Sequence, residues 1–534
     1  MDDLIQQLGQ FLDQNALVTD QMEREYYSMD AFSSGETCCL VLKPKTKQQV
    51  EQAVKIISSL GYQIIPRGGG MSYTGGYTPS SEETIIIDVQ GLNKIVEINK
   101  EDMFITVEAG CTWKDIYESL QPLGLRLPFF GTNSGAKATV GGGLSNGALF
   151  FGTGAYGTAA DNVMSMEVIL ADGTVIKTGQ AAFADAKPHH RTYGPDLTGL
   201  FCHDAGAFGI KIQATFRLIY TPVWTDYLSF SFKGILEGTE ALSAIARSRL
   251  TEECYLLDPS SADNLTDISA VRGLKSIFKV MLKQNNFATK LFDAAKMALS
   301  GRQFIPKDHY SLHCVIGGNS RSSVKENKLE IRKLMKSFDA QEVANTIPKA
   351  ARADPFPPLN GIIGSKGERW AALNAKVPHS KAKEVNQKIY QIMESYQDQM
   401  DSAGVWFTLL NLGIEQHSYS IEPVLRWKDE WSALHKKTAS KEFLNELTES
   451  KSNPAARQLV DKIRNEIVAY FASIGAASNQ IGRTYDFLGY LHEPTKSLIH
   501  KIKSAVDPMC IMNKGALGLE KGHGAAEPSM QNIK

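Results

Sequence analysis

Two glycine-rich segments constrain the fold of this chain more than any other feature. The first, residues 66–76, contains three consecutive glycines, and the second, residues 138–147, contains three more. Runs of glycine remove every Cβ and open positive φ angles, so successive backbone N–H groups can converge on an anion such as a pyrophosphate. We therefore expect both segments to be loops at which the backbone touches a ligand.

The surroundings of the first loop exclude two common nucleotide-binding motifs. Short apolar strands are predicted on either side of it, over residues 62–65 and 84–89. A Rossmann fingerprint needs G-x-G-x-x-G at the start of a long helix, and Pro79 prevents such a helix here. A P-loop needs a closing Gly-Lys-Ser/Thr, which neither segment has.

Three further segments carry a family resemblance. Residues 161–175 predict a strand, an Asp-Gly hairpin turn and a second strand. Glycine-containing segments follow at 193–201 and 206–210, and the chain closes with a characteristic segment at 505–518. Together with the two loops, these segments resemble the vanillyl-alcohol oxidase / para-cresol methylhydroxylase (PCMH) superfamily of FAD-binding flavoproteins, which includes FAD-dependent D-lactate and glycolate dehydrogenases. Lys514 stands where that family usually has proline.

The resemblance implies an α+β fold, in which a two-lobed PCMH-type FAD-binding domain is joined to an α+β cap domain with an antiparallel sheet. Apolar periodicity predicts helices over residues 3–14, 47–60 and 113–120, and longer helices from about residue 223 onward. The expected organisation is an N-terminal helical segment (1–30), the FAD-binding domain (31–222), the cap domain (223–474), a C-terminal segment returning to the FAD domain (475–520) and a disordered tail (521–534).

The same resemblance implies FAD as the cofactor, with its pyrophosphate on the first loop and its ring and ribityl chain near the second. Covalently linked relatives carry a histidine after the first glycines, where this chain has Met71, so linkage through this loop is excluded and FAD is expected to be non-covalent. Linkage through a cap residue stays open. The expected cofactor-binding residues are Arg67, Gly68, Gly69, Gly70, Met71, Ser72, Thr132, Asn133, Thr139, Val140, Gly141, Gly142, Gly143, Asn146, Gly147, Gly157, Ile210 and Asn513.

Two polar clusters in the second half of the chain are candidates for the chemistry. Flavin oxidation of a C–H bond needs a base for the O–H proton and charges that position the substrate. On a strand, His417 and Tyr419 would share one face and project together. Arg483, beside Tyr485, can pair with a carboxylate or a phenolate oxygen. Purely structural roles for these four residues remain an alternative.

Departures from the family pattern leave the substrate open. Residues 478–482 replace the Glu-His-Gly-Ile-Gly motif of the lactate and glycolate branch, and that branch's metal-binding histidine motif is absent, so no metal is expected. Arg483 and Tyr485 match the Tyr-Arg pair of the para-cresol branch in kind, although reversed in order. The substrate is therefore either a 2-hydroxy acid such as D-lactate or a para-hydroxybenzylic alcohol or alkylphenol.

Composition limits the partners. With 57 basic and 58 acidic residues, the chain has no global field that would recruit nucleic acid. Seven scattered cysteines without C-x-x-C spacing, and no signal or long apolar segment, predict a cytoplasmic protein with reduced thiols. A basic amphipathic pattern over residues 275–283 has two interpretations, a solvated helix on the cap, which is favoured, and a membrane or redox-partner contact.

The predicted function is that of a FAD-dependent oxidoreductase, a dehydrogenase or an oxidase, which transfers hydride from the small hydroxylated substrate to flavin. An electron acceptor (cytochrome, quinone, electron-transfer protein or oxygen) then reoxidises the flavin. A homodimer is one assembly compatible with the sequence. Two alternatives remain, a FAD-containing transferase resembling alkylglycerone-phosphate synthase and a non-catalytic electron-relay flavoprotein.

Overall fold

The structure, a computed structural model, describes residues 1–261 and 305–520. The basic segment 275–283 and the tail from residue 521 lie outside the described residues. The predicted domain boundaries stay predictions, although one of them, residue 222, falls between two strands that belong to different sheets.

Two sheets and a short strand pair occupy the first 220 residues. One sheet has the order β1-β2-β4-β3, with β2, β4 and β3 parallel to one another. The other, β5-β6-β10-β8-β9, is antiparallel, and β7 pairs with β11. These strands are β1 Leu17–Val18, β2 Leu40–Leu42, β3 Gln63–Arg67, β4 Thr84–Asp88, β5 Ile95–Asn99, β6 Phe104–Glu108, β7 Leu125–Arg126, β8 Val163–Ile169, β9 Val175–Lys177, β10 Ile210–Arg217 and β11 Ile219–Tyr220.

An eight-stranded antiparallel sheet, which we call the cap sheet, follows. Its order is β15-β12-β14-β13-β18-β19-β16, and β17 pairs with the end of β19 beyond β16. Its strands are β12 Trp224–Phe232, β13 Glu253–Leu257, β14 Tyr310–Gly318, β15 Gln341–Val343, β16 Arg369–Ala372, β17 Ala375–Val377, β18 Val405–Ile414 and β19 Ser418–Trp427. The predicted α+β fold with an antiparallel cap sheet is thereby confirmed.

Helices cover the sheets. Those described are Asp2–Leu8, Gln21–Tyr27, Lys47–Ser59, Trp113–Leu120, Val140–Ser145, Thr153–Tyr156, Ala159–Asn162, Leu197–Leu200, Ile235–Ser248, Arg321–Lys336, Thr346–Ala353, His379–Ser395, Gln397–Ala403, Ala433–Thr438, Lys441–Asn445, Pro454–Ser473 and Glu493–Val506. Among the described residues, no helix is long and apolar enough to cross a membrane.

Local chemistry explains where several of these elements begin. Helix Trp113–Leu120 has its predicted bounds because Thr112 and Asp115 form a capping box at its start. The N-terminal segment, predicted to be helical, has a short strand between its two α-helices. Its first helix ends at Leu8, and β1 joins the edge of the first sheet by pairing with β2.

The C-terminal residues reach the first sheet. Met512 forms a parallel bridge with Ile64 of β3, and the two segments exchange backbone hydrogen bonds through Ile511 and Asn513. The ammonium of Lys503, fully buried, donates to Asp507 and to backbone carbonyls that include that of Met512. This contact places residues 511–513 directly behind the first glycine loop.

Candidate active site

The two glycine loops touch each other. A Cβ on Gly68 would run into the side chain of Thr139, and one on Gly69 would run into the backbone of Lys137. Gly70 has φ +70°, a left-handed conformation that residues with a Cβ rarely adopt. The predicted pair of ligand loops is therefore one continuous surface of backbone.

Gly142 faces open space, whereas its neighbours are packed. The Thr139 hydroxyl accepts from the Gly142 N–H at 3.4 Å and caps helix Val140–Ser145. A Cβ on Gly142 would meet only that hydroxyl, also at 3.4 Å, but one on Gly141 would press on Ala109 and one on Gly143 on Trp113. Gly142 is thus the position in this helix at which the backbone is left free for a ligand.

A buried positive charge lies under the first loop. Arg67 is 1% exposed, and its Nε, Nη1 and Nη2 have no hydrogen-bond partner in the described structure. Its Cζ atom lies 5.2, 4.6 and 5.2 Å from the ring centroids of Tyr26, Tyr27 and Tyr77. Aromatic faces stabilise a cation only in part, so this guanidinium fits beneath a dianionic pyrophosphate.

Two buried amide oxygens near the second loop are also without a described partner. They are Oδ1 of Asn146 and Oδ1 of Asn479. Gly147, with φ +60°, lies against the carbonyl of Asn479 and the ring of His203. Together with Arg67, these polar atoms without a described hydrogen-bond partner fit a polar cofactor that runs along both loops, as expected for FAD.

Arg483 joins the first loop to the C-terminal residues. Its guanidinium donates to the carbonyl of Gly75 at 2.7 Å, to Asn513 Oδ1 at 2.8 Å and to the carbonyl of Lys514 at 2.7 Å. The Asn513 amide in turn donates to the carbonyls of Gly76 and Ala205. Burial lowers the pKa of Arg483 to about 10. The described contacts therefore favour a role in shaping the cofactor loop over the predicted role of substrate anchor.

We expect Arg483→Ala to lose FAD and to unfold at a lower temperature. Removing a half-buried charged donor from three acceptors costs about 2–3 kcal/mol, because the acceptors are left unpaired. FAD content after gel filtration and the thermal midpoint measure both effects. Arg332→Ala is the control, since Arg332 is in an exposed pair with Glu342. The expectation would be contradicted by a variant that stays yellow and equally stable, and whose flavin is reduced slowly only when substrate is limiting.

The remaining expected cofactor residues differ in burial and in the groups that they contact. Thr132 is half-buried and Asn133 exposed, whereas Ile210 lies inside the core behind the first sheet. Gly157 has φ +74° and lies against Asp161 and Glu415. Ser72 donates its hydroxyl hydrogen to Gln480 Oε1 at 2.9 Å, half-buried Met71 precedes it, and Val140 is buried at the start of its helix.

The structure does not bring His417 and Tyr419 together. β19 begins at Ser418, so His417 lies in the preceding turn, where its side chain is 73% exposed and 3.5 Å from Glu415. Tyr419 is fully buried on the face of the cap sheet that packs against helices, with Ile421. Neither residue lies near the cluster described next.

A polar cluster lies where the cap sheet faces the first loop. Side chains alternate along β19, and since Tyr419 and Ile421 point to the helices, Glu422 points to the opposite face. Tyr73, from the first loop, is an electrostatic neighbour of Glu422, Tyr485 and Arg464. The site is thus assembled from the first loop, the cap sheet, helix Pro454–Ser473 and the 478–485 segment.

The hydrogen bonds leave donors free in this cluster. The Tyr485 hydroxyl accepts from the Asn374 N–H at 2.7 Å, so its own hydrogen is available. The Arg464 guanidinium is 4% exposed and stacks 4.0 Å from the Phe32 ring centroid, and the hydrogen bond described for it runs from Nη1 to the carbonyl of Ala372 at 2.8 Å. The electrostatic neighbours of Tyr73 include no hydrogen-bond partner of its hydroxyl in the described parts of the chain.

Burial sets the protonation states. It raises the pKa of Glu422 to about 7, against an ordinary value of 4.5, so this carboxyl exchanges protons near neutral pH. It also raises the pKa of Tyr73 and of Tyr485, so both phenols stay protonated as donors. Burial lowers the pKa of Arg464, which remains a cation. The arrangement can hold an anionic oxygen and accept its proton.

Comparisons with known proteins bear on this geometry. A family model described as a FAD binding domain matches residues 39–179. The solved structure of para-cresol methylhydroxylase with substrate bound superposes with a TM-score of 0.74 at 18% identity, covering 97% of both chains. The FAD binding domain over residues 39–179 and the fold shared with para-cresol methylhydroxylase agree with the resemblance to the PCMH-type FAD oxidase superfamily. The findings support FAD as the cofactor, and the two loops, with Arg67 beneath them, are the surface that fits it.

Two further similarities limit which properties of known proteins can be assigned to this chain. A mitochondrial D-lactate dehydrogenase [cytochrome] of Saccharomyces cerevisiae is 29% identical over 48% of this chain and 44% of its own length. The chain thus matches less than half of that relative. A solved alkyldihydroxyacetonephosphate synthase superposes with a TM-score of 0.65 at 15% identity, over 96% of this chain and 86% of the other. At such identity, the structural likenesses show the fold alone.

Two functional candidates escaped sequence reasoning: Glu422 and Arg464. Tyr73, inside the first glycine loop, was expected to matter only if neither His417 nor Arg483 faced the flavin. A single carboxylate, Glu422, within the apolar strand 418–427 was a usable signal. Arg464 has no local signal on its helix. Among the described residues, no group of three His, Cys, Asp or Glu side chains that could hold a metal ion is found.

Proposed function

We propose that this protein is a FAD-dependent oxidoreductase that oxidises a para-hydroxybenzylic alcohol or an alkylphenol. The observation that carries the proposal is the cluster in which Tyr73 neighbours Tyr485, the buried Arg464 and Glu422, a carboxyl group whose pKa is about 7. Two neutral donors and one cation are suited to a phenolate oxygen, which carries one charge and accepts several hydrogen bonds.

Each residue of the cluster has a defined task in this proposal. Glu422, as the carboxylate, accepts the proton of the substrate's phenol. Tyr73 and Tyr485 donate hydrogen bonds to the resulting phenolate, and Arg464 balances its charge. Loss of this proton makes the aromatic ring electron-rich, which weakens the benzylic C–H bond in the para position. FAD, when bound, supplies the hydride acceptor.

We expect phenols to bind as phenolates, and Tyr485→Phe to weaken that binding roughly tenfold, which corresponds to about 1.4 kcal/mol for one charge-assisted hydrogen bond. The probe is para-nitrophenol, whose phenolate is detected by its difference spectrum. Tyr419→Phe is the matched control, because its hydroxyl is on the other face of the cap sheet. Binding as neutral phenol, or equal losses in both variants, would contradict the proposal.

A 2-hydroxy acid is the second candidate. It is supported by the similarity to D-lactate dehydrogenase over the shared part of the chain. In this version, Arg464 would pair with the substrate carboxylate and Glu422 would take the hydroxyl proton. The transferase alternative has no further observation in its favour, because the likeness to alkyldihydroxyacetonephosphate synthase, at 15% identity, shows the fold alone.

Cofactor linkage, the electron acceptor and location complete the proposal. FAD is held without a covalent bond, because Met71 replaces the linking histidine while His417 is exposed and Tyr419 faces the helices. A cytochrome is one acceptor suggested by the name of the yeast relative. All seven cysteines are free thiols. The cytoplasmic location stays a prediction, since the yeast relative is mitochondrial.

A further inference from the structure

Lys376 lies on the same face of the cap sheet as Glu422. It pairs with Ser420 of β19, and its neighbours Ala375 and Val377 belong to the core on the helix side of the sheet. Because side chains alternate along a strand, the side chain of Lys376 leaves β17 on the opposite face, toward the glycine loops.

Backbone contacts bring Lys376 to the end of the second loop. Its N–H donates to the carbonyl of Ala477 at 2.6 Å, and the Ala477 N–H donates back at 3.1 Å. Two residues further on, the carbonyl of Asn479 meets the Nδ1 of His203 at 3.1 Å and lies against Gly147. Lys376 therefore approaches the second loop from the cap side, whereas Arg67 lies under the first loop.

The described structure gives the Lys376 ammonium one oppositely charged electrostatic neighbour, the Asp161 carboxylate, and no hydrogen-bond partner. Its electrostatic neighbour Asp161 already accepts from the N–H and the hydroxyl of Thr158, both at 2.7 Å. The other neighbour, His203, is a neutral imidazole, because burial lowers its pKa to about 4. It therefore does not balance the charge of Lys376. Within residues 1–261 and 305–520, no hydrogen bond or ion pair of the ammonium is found. Lys376 is half-buried, and a partly desolvated cation without a hydrogen-bond partner favours a ligand that completes it.

We propose that Lys376 contacts the isoalloxazine ring of bound FAD and compensates the negative charge that this ring gains on reduction. The pyrophosphate is the less suitable partner, since it fits the first loop over Arg67, and the phenolate end of the substrate fits the cluster around Glu422. This inference depends on FAD binding and not on the identity of the substrate.

Sulfite addition and the midpoint potential test it without any substrate. Sulfite adds to the oxidised flavin ring and leaves negative charge on it, so its affinity reports positive charge nearby. We expect Lys376→Met to bind sulfite at least about tenfold more weakly and to lower the two-electron potential by about 30 mV per tenfold. Lys376→Arg keeps the charge and should stay within about threefold of the wild type. Lys381→Met is the control, since Lys381 pairs with Glu384 at an exposed position.

The outcomes are decisive in each case. Weaker sulfite binding in Lys376→Met, with recovery in Lys376→Arg, supports the inference. Unchanged sulfite affinity and potential in a yellow Lys376→Met protein overturns it, whatever happens to substrate turnover. If the neutral variants Lys376→Met and Lys376→Gln lose FAD, retention by Lys376→Arg supports the charge contact. Loss of FAD in all three overturns it in favour of a packing role.

Discussion

Replacing Glu422 with glutamine should slow flavin reduction at saturating substrate by about a hundredfold or more, because the group that accepts the substrate proton is removed. The carboxylate is the active form, and its pKa of about 7 sets the pH dependence. In the wild type, the rate should rise with pH through about 7 and then level off. In Glu422→Gln, this rise should disappear. Anaerobic stopped-flow measurements from pH 5.5 to about 9 follow both effects.

The titration of the Glu422 carboxyl also changes the free energy of unfolding with pH. Burial raises the pKa of Glu422 above its unfolded value, so the folded state holds more protons between about pH 4.5 and 7. The stability that this group contributes is present at low pH and is lost as pH rises through about 7. Glu422→Gln should therefore gain stability relative to the wild type at pH 8.

Glu384→Gln is the control for both measurements, because Glu384 forms an exposed pair with Lys381 on helix His379–Ser395. It should keep the wild-type rate and pH profile. A Glu422→Gln enzyme that reduces flavin at the wild-type rate, with the pH profile unchanged, would remove Glu422 from the mechanism.

Gly142→Val should give a folded protein that has lost most of its FAD. The chain itself tolerates a Cβ at this position, since only the Thr139 hydroxyl lies within 4 Å, and φ is not in the left-handed region. Added methyl groups would therefore collide chiefly with the bound cofactor. An overpacking cost of about 1–3 kcal/mol corresponds to roughly ten- to hundredfold weaker binding.

FAD content and the thermal midpoint of the apoprotein separate this effect from misfolding. Gly361→Val is the matched control, because nothing lies within 4 Å of its Cβ position either. Gly141 and Gly143 are unsuitable sites, since they are packed against Ala109 and Trp113. Full FAD retention in Gly142→Val would show that this part of the second loop does not contact the cofactor.

The cofactor surface was predictable from the sequence because its determinants are local. Three consecutive glycines report a required absence of Cβ wherever they fold, and the structure shows what fills that space at Gly68 and Gly69. Helix Trp113–Leu120 was equally predictable, since its capping residues are adjacent to it.

The substrate site was not predictable in the same way. Tyr73, Glu422 and Arg464 come from three distant segments, and only the tertiary fold makes them neighbours. The pairing of His417 with Tyr419 assumed that the strand began before His417, whereas the turn reaches that residue. Both faces of β19 are covered, so alternation alone did not indicate which face meets the flavin. Of the four predicted catalytic residues, Tyr485 alone lies in this cluster.

The most direct test of the account is anaerobic mixing of the FAD-loaded protein with a panel of substrates, followed by the loss of flavin absorbance. We expect 4-hydroxybenzyl alcohol or 4-ethylphenol to bleach the flavin, with D-lactate and glycolate leaving it oxidised. Bleaching by D-lactate or glycolate alone would contradict the phenolic substrate and establish the second candidate. A flavin that none of these compounds reduces would contradict the oxidoreductase proposed here.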